Sequence, residues 1–319
     1  MVPAKYSNYL RNRRILVVGG SGFIGHRLVS RLAQEGADIV SVGVSEGKRV
    51  DVFPNVRHIR IDLQAREELD RNFPKGLFTY VFNLGGYIDH SSFQVGGRSV
   101  INVHYVGTLN LLEKVFSPKL KAFIQIGSSD EYGITSSPQK EVIREAPISP
   151  YSAAKAAITH LIQALFKAEG FPGIIARLFL VYGPGQDDGR FIPQIIKGCL
   201  ADQTFPTSSG EQIRDFCYVE DIVEGLILCA LTPEARGKVF NLASGEPLSV
   251  KEIINKIVDI IGKGRPDFGK IPYRKRENMS LYADISKAKQ IIGWQPTTLL
   301  DEGLEKTIAW YRQTMNQKG

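Results

Sequence analysis

The stretch Arg14-Ile15-Leu16-Val17-Val18-Gly19-Gly20-Ser21-Gly22-Phe23-Ile24-Gly25 decides how this chain folds. Ile15 to Val18 is an apolar run that reads as a strand buried on both faces. The periodicity of 23–34 reads as a helix, so the glycines stand where a strand turns into a helix N-terminus. A backbone without Cβ atoms can turn sharply there and approach a phosphate, while unpaired N–H groups and the positive end of the helix dipole attract its charge. That combination points to a dinucleotide held by its pyrophosphate, with Gly19, Ser21, Gly22, Phe23, Ile24 and Gly25 as candidate cofactor residues.

Working outward, strand-like runs at 39–42, 56–61, 80–83, 122–126 and 173–178 alternate with helical patterns at 64–73, 100–116 and 151–168. Such alternation demands crossovers, and therefore an α/β fold: a doubly wound parallel sheet covered on both faces. The alternation stops after Tyr182-Gly183-Pro184-Gly185, where helices at 250–261 and 299–313 mix with short strands. We expect a dinucleotide-binding domain over 1–182 and a smaller α+β substrate-binding part over 183–319, with some C-terminal segments packing back onto the sheet.

Composition narrows the partners. The chain has 319 residues, 43% apolar and 23% charged, as in an ordinary globular protein, and its net charge of +7 suits anionic ligands. Lys and Arg are spread along the chain, without a basic block interleaved with aromatics, which argues against nucleic acid. No apolar run is long enough for a membrane span, and residues 1–14 lack a signal-peptide core, so the expected location is cytoplasmic. Cys199, Cys217 and Cys229 form neither a paired framework nor a metal-binding spacing, and no metal is expected.

Proton chemistry enters with Ser149-Pro150-Tyr151 and Lys155. Ser149 reads as an N-cap and Pro150 as the first helical residue, placing Tyr151 in the opening turn with Lys155 over the same face. A phenol, with an ordinary pKa of about 10, becomes a base near neutrality only if positive charge stabilises its anion. Alone, such a pair is more often a surface tyrosine and a solvated lysine. Gly127-Ser128-Ser129-Asp130-Glu131-Tyr132-Gly133 changes the balance, because it follows the strand at 122–126 and lies at the same sheet edge as the glycine turn. Its hydroxyls could hold a substrate oxygen, or serve the turn itself.

Together these motifs resemble the extended short-chain dehydrogenase/reductases of the nucleotide-sugar epimerase/dehydratase group, which are Rossmann-like. The resemblance runs from about Arg14 to Tyr311 and includes FNLGG at 82–86, RLFLVYGPGQ at 177–186, GEQIRDFCYVEDIVEGL at 210–226 and YADISKAKQIIGWQP at 282–296. It implies an enzyme in which Ser128 orients a sugar oxygen, Tyr151 is general acid or base, and Lys155 binds ribose and lowers the tyrosine pKa. Hydride would pass between the sugar and a nicotinamide. The resemblance also assigns Asp62 and Leu63 to the adenine, Leu84, Gly85 and Gly86 to the cofactor, and Arg214 and Arg274 to the substrate diphosphate, although either arginine could be a surface ion-pair partner. It implies a homodimer through the helices at 100–116 and 151–168.

The chain also departs from the family pattern. An acidic residue commonly ends the second strand of NAD-preferring relatives, but Gly43 or Val44 falls there, followed by Ser45, Lys48 and Arg49. The reading is NADP over NAD, unless Glu46 supplies the carboxylate after a loop shift. Leu180 replaces a phosphate-binding Asn. Asp130 reads as a working carboxylate, a hydrogen-bond partner or a turn residue. His90 and Ser129 are candidate substrate contacts, and a lone loop histidine is more often structural. Arg190, also a candidate substrate contact, opens a stretch, 190–216, that with 268–279 resembles CDP-abequose-type 4-ketoreductases. A 4-ketoreductase acting on a nucleotide-diphosphate sugar is therefore the leading expectation. A 4-epimerase, a 4,6-dehydratase and a non-catalytic dinucleotide sensor are the alternatives.

Overall fold

The computed structural model describes residues 5–47, 50, 52–74, 76–273 and 277–316. Its first strands are β1 (Arg14–Val18), β2 (Asp38–Gly43), β3 (Val56–Arg60), β4 (Tyr80–Asn83), β5 (Ala122–Ser128) and β6 (Gly173–Leu178). They are followed by β7 (Leu180–Tyr182), β8 (Thr204–Pro206), β9 (Ile213–Tyr218) and β10 (Val239–Leu242). The last three are β11 (Pro247–Ser249), β12 (Arg265–Asp267) and β13 (Ser280–Leu281). One seven-stranded sheet runs β10-β6-β5-β4-β1-β2-β3, all parallel.

Side chains of a strand alternate between faces, and this alternation divides the core in two. Ile15, Val17, Phe82 and Ile124 pack on one face with Leu28 and Leu32 of the helix Phe23–Gln34 and with Ile222 and Leu226 of the helix Val219–Leu231. Leu16, Val18, Val81 and Phe123 pack on the other with Leu111 and Leu112 of Gly107–Val115 and with Ile158 and Ile162 of Pro150–Glu169. This is a Rossmann-like sheet with two covered faces, as the apolar runs imply. Strand order reverses between β1 and β4, and a crevice forms beyond the carboxyl ends of such strands.

Past β6 the chain builds a smaller region from β9, flanked by β11 and β13 and also paired with β7, and from the pair β8 and β12. Between β9 and β11 the chain returns to the main sheet, where β10 lies parallel to β6. Asp215 ties the region to that return. Its buried carboxylate accepts from Ser244 N and Oγ, both at 2.6 Å, from Gly245 N at 2.9 Å and from Ala283 N at 3.2 Å. Asp215→Ala strands four donors, and we expect it to cost about 2–4 kcal/mol, read as a lower urea midpoint at unchanged slope.

Candidate active site

The glycine turn is a cradle that only a bare backbone can form. Gly19 has φ of +74°, and a Cβ there would lie 2.9 Å from the carbonyl oxygen of Leu84. A Cβ on Gly25 would strike the carbonyl oxygen of Gly19. The turn is held between neighbours by Gly19 N to Val42 O at 2.7 Å, while Leu84 N donates to Val18 O at 3.0 Å. Gly22 is the N-cap of Phe23–Gln34, and no side chain caps that helix, leaving the opening N–H groups to an anion. These residues fit the pyrophosphate of a dinucleotide.

At the neighbouring strand ends stand Ser128 and Tyr151. Ser128 closes β5, while Tyr151 sits in the first turn of Pro150–Glu169, a helix started by Ser149 Oγ accepting from Ser152 N at 3.1 Å. Tyr151 is only 4% exposed. Burial pushes its phenol well above the ordinary value, with Asp130 and Glu131 adding to the rise, against the hydrogen bond to Ser128 and the charge of Arg190. Lys155, equally buried, donates to Ile126 O at 2.8 Å, and burial lowers its pKa to about 8. Its ammonium lies 5.8 Å from the Tyr151 ring centroid.

Two histidines flank the tyrosine ring edge to face. His90 has its centroid 5.6 Å away and its Nε2 3.5 Å from Asp130 Oδ2. His104, overlooked in the sequence, lies at 5.1 Å and uses Nε2 against Tyr87 O at 2.8 Å. Burial, reinforced by Lys155, drives its pKa down to about 3, so the ring is neutral at ordinary pH. A π-helical turn, Asn102–Val106, carries it inward, and Gly86, at φ of +118°, leaves room for the ring. The available signal was a histidine in NVHYVGT, opposite FNLGG.

Glu131 settles one ambiguity in the reading of SSDEYG. It is fully buried, accepting from Ser128 N at 2.8 Å, Thr159 Oγ1 at 2.8 Å and Arg177 Nε at 3.0 Å. Arg177 also pairs with Glu145. Glu131 is thus committed to the scaffold, and Asp130 is the carboxylate of this motif turned toward the cleft.

The remaining candidates are dispersed. Ser21 Oγ and Ser45 Oγ are 2.6 Å apart. Asp62 Oδ1 takes Gln64 N at 2.9 Å, and Leu63 O takes Asn110 Nδ2 at 2.8 Å. Gly85 N donates to Asn83 Oδ1 at 3.3 Å, and Ser129 is buried in the turn after β5. Arg190 is exposed at the start of Phe191–Leu200, whereas Arg214, on β9, directs its guanidinium to Ile213 O and to Glu277. Lys48, Arg49 and Arg274 lie outside the described residues. Among the described residues no helix is long and apolar enough to cross a membrane.

Residues 15–243 match the family model described as "NAD dependent epimerase/dehydratase family". The chain is similar to epimerase Mth375 from Methanothermobacter thermautotrophicus, at 25% identity and a TM-score of 0.89 over 99% of this chain and 98% of that one. It is also similar to UDP-glucuronic acid 4-epimerase from Bacillus cereus, solved with UDP-glucuronic acid and NAD, at 28% identity, TM-score 0.85, 94% of this chain and 99% of that one. A dTDP-glucose 4,6-dehydratase of Neisseria gonorrhoeae is 29% identical over 94% of this chain and 95% of its own. The NADP preference drawn from Ser45, Lys48 and Arg49 is corrected by these complexes, since the Bacillus cereus protein was solved with NAD. A missing carboxylate at the end of β2 does not by itself make a phosphate site, and the Ser45 hydroxyl is engaged by Ser21.

The division of labour within SSDEYG has a measurable consequence. Glu131→Gln leaves the buried Arg177 charge undercompensated, and we expect a loss of about 3–5 kcal/mol in chemical unfolding. Asp130→Asn, at a half-exposed position, should change stability by less than about 1 kcal/mol.

Proposed function

The chain belongs to the NAD dependent epimerase/dehydratase family, and from that premise we propose that it is a 4-epimerase of a nucleotide-diphosphate hexose, retaining NAD through its cycle. The observation that carries this reading is the placement of Ser128 at the end of β5 and of the buried Tyr151 in the opening turn of Pro150–Glu169, beside a Glu131 locked away by Arg177. The pair suits removal and return of a proton at a single sugar oxygen. A 4,6-dehydratase using both carboxylates of SSDEYG would need Glu131 released from its buried bonds. The epimerase and dehydratase relatives support this family of reactions more than they support the 4-ketoreductase expected from residues 190–216 and 268–279.

When bound, NAD would supply the hydride acceptor and, in its oxidised form, a positive charge. Ser128 and Tyr151 would receive the C4 hydroxyl, and with the cofactor's positive charge offsetting the burial that keeps the phenol protonated, Tyr151 would take its proton as the oxygen becomes a carbonyl. The same tyrosine returns the proton once the sugar has presented its other face. Lys155 would hold the cofactor's ribose hydroxyls while it carries its charge. Arg190, exposed at the N-cap of Phe191–Leu200, would meet the nucleotide diphosphate, whereas Arg214 would have to leave its ion pair with Glu277 to do so. We also propose a homodimer, supported by the exposed Val106 and Phe166 on the helices expected to form it.

The test is incubation with UDP-glucose, UDP-glucuronate and dTDP-glucose without added cofactor, followed by NMR. A mixture of C4 epimers with no net change in dihydronicotinamide absorbance is expected. A 4-keto-6-deoxy product would make it a dehydratase, and net oxidation of dihydronicotinamide by a 4-keto sugar would make it a reductase. Tyr151→Phe should reduce turnover by about 10²–10⁴-fold. Because the depressed Lys155 pKa means its ammonium is present below about 8 and lost above, cofactor affinity should fall as pH rises through that value. Lys155→Met should flatten that pH profile.

A further inference from the structure

The chemistry at C4 uses Ser128, Tyr151 and Lys155, and leaves unused a second titratable pair in the same cleft. His90 comes from the loop after β4 and Asp130 from the turn after β5, and the two meet at 3.5 Å between Nε2 and Oδ2. Their side chains are 39% and 32% exposed, so both are open to a ligand, unlike the fully buried Glu131. The imidazole stands perpendicular to the Tyr151 ring, 5.6 Å between centroids. The ring that would hold the sugar oxygen is therefore flanked by an imidazole backed by a carboxylate. An imidazole can take up and release a proton at carbon or oxygen, and a carboxylate on one ring nitrogen orients the other.

We propose that His90 and Asp130 form a second proton-transfer pair, acting on a carbon that flanks the C4 carbonyl of the oxidised sugar, and so give the site an isomerase activity at that carbon. The inference rests on the reading that the site holds a C4 ketone. A C–H bond beside a ketone is acidic because its electrons can move onto the carbonyl oxygen. The C–H bond breaks and its proton goes to His90 Nδ1, the ring nitrogen not turned to Asp130. The electron pair forms a double bond to C4, and the carbonyl π pair moves to oxygen, giving an enolate held by the Ser128 and Tyr151 hydroxyls. Asp130 pairs with the imidazolium so formed. Reprotonation at carbon, by the imidazolium or by solvent on the other face, regenerates the ketone with no net oxidation.

Exchange with solvent tests this without any oxidation step. The intact protein is mixed in D2O with dTDP-4-keto-6-deoxyglucose or its UDP counterpart, and the H3 and H5 signals are followed by proton NMR. Washout of one of them at least ~100-fold faster than in the enzyme-free control is expected. Asp130→Asn and His90→Gln should each slow it at least ~10-fold. His90→Phe keeps a ring against Tyr151 but cannot take a proton, so slow exchange at an unchanged melting temperature assigns the loss to the base. No washout with the wild-type protein, or wild-type washout in His90→Gln, overturns the proposal. Epimerisation of nucleotide-diphosphate hexoses without washout sinks this inference alone. Washout without epimerisation supports it and sinks only the C4-epimerase assignment, and if neither keto sugar binds, both fall.

Discussion

One buried carboxylate holds the reacting edge of this protein together. Glu131 takes the backbone N–H of Ser128, the Thr159 hydroxyl of the helix that carries Tyr151, and the Arg177 guanidinium of β6. Three elements that meet nowhere in sequence are thereby fixed to one pair of oxygens, and the distance between Ser128 and Tyr151 follows from it. A charge in the interior is tolerated only when paired and hydrogen-bonded, and Arg177, with Glu145 on its other side, meets that condition. The arrangement removes Glu131 from chemistry and leaves Asp130 as its neighbour at the cleft.

Around this anchor, burial decides which groups carry charge. Tyr151 is a reluctant acid because it has little contact with water, Lys155 holds its proton less tightly than a surface lysine, and His104 is kept neutral. Below them a polar ladder ties β4 and β5 to the helix behind. Asn83 donates to Thr108 Oγ1 at 3.1 Å and to Gln125 Oε1 at 2.8 Å, and Thr108 donates to His104 O at 2.7 Å. Satisfied networks of this kind hold side-chain geometry more firmly than apolar packing does. The ring of His104 is thus a fixed wall against which Tyr151 lies, and Gly86 is glycine because a Cβ would enter that ring.

Much of the fold was legible because it depends on local rules. The apolar runs of β4 and β6 coincide with their observed bounds, and Phe23–Gln34 and Val250–Ile261 begin and end where their helical patterns place them. Other boundaries moved by a residue or more where tertiary contacts extend an element. The run at 122–126 continues through Ser128, since β6 offers Arg177 and Leu178 as partners. The helix at 100–116 proved to be interrupted by a π-helical turn, which apolar spacing cannot reveal.

By itself the sequence determined the parallel sheet, the glycine turn and the positions of Ser128, Tyr151 and Lys155 along it, because strand burial, helix capping and backbone freedom act over neighbouring residues. Only the tertiary structure decided which of Asp130 and Glu131 faces the cleft, that His104 walls the tyrosine and that Arg214 pairs with Glu277. Those outcomes depend on which charges meet across distant segments and on how much water each one loses, and neither quantity is written in the spacing of a motif.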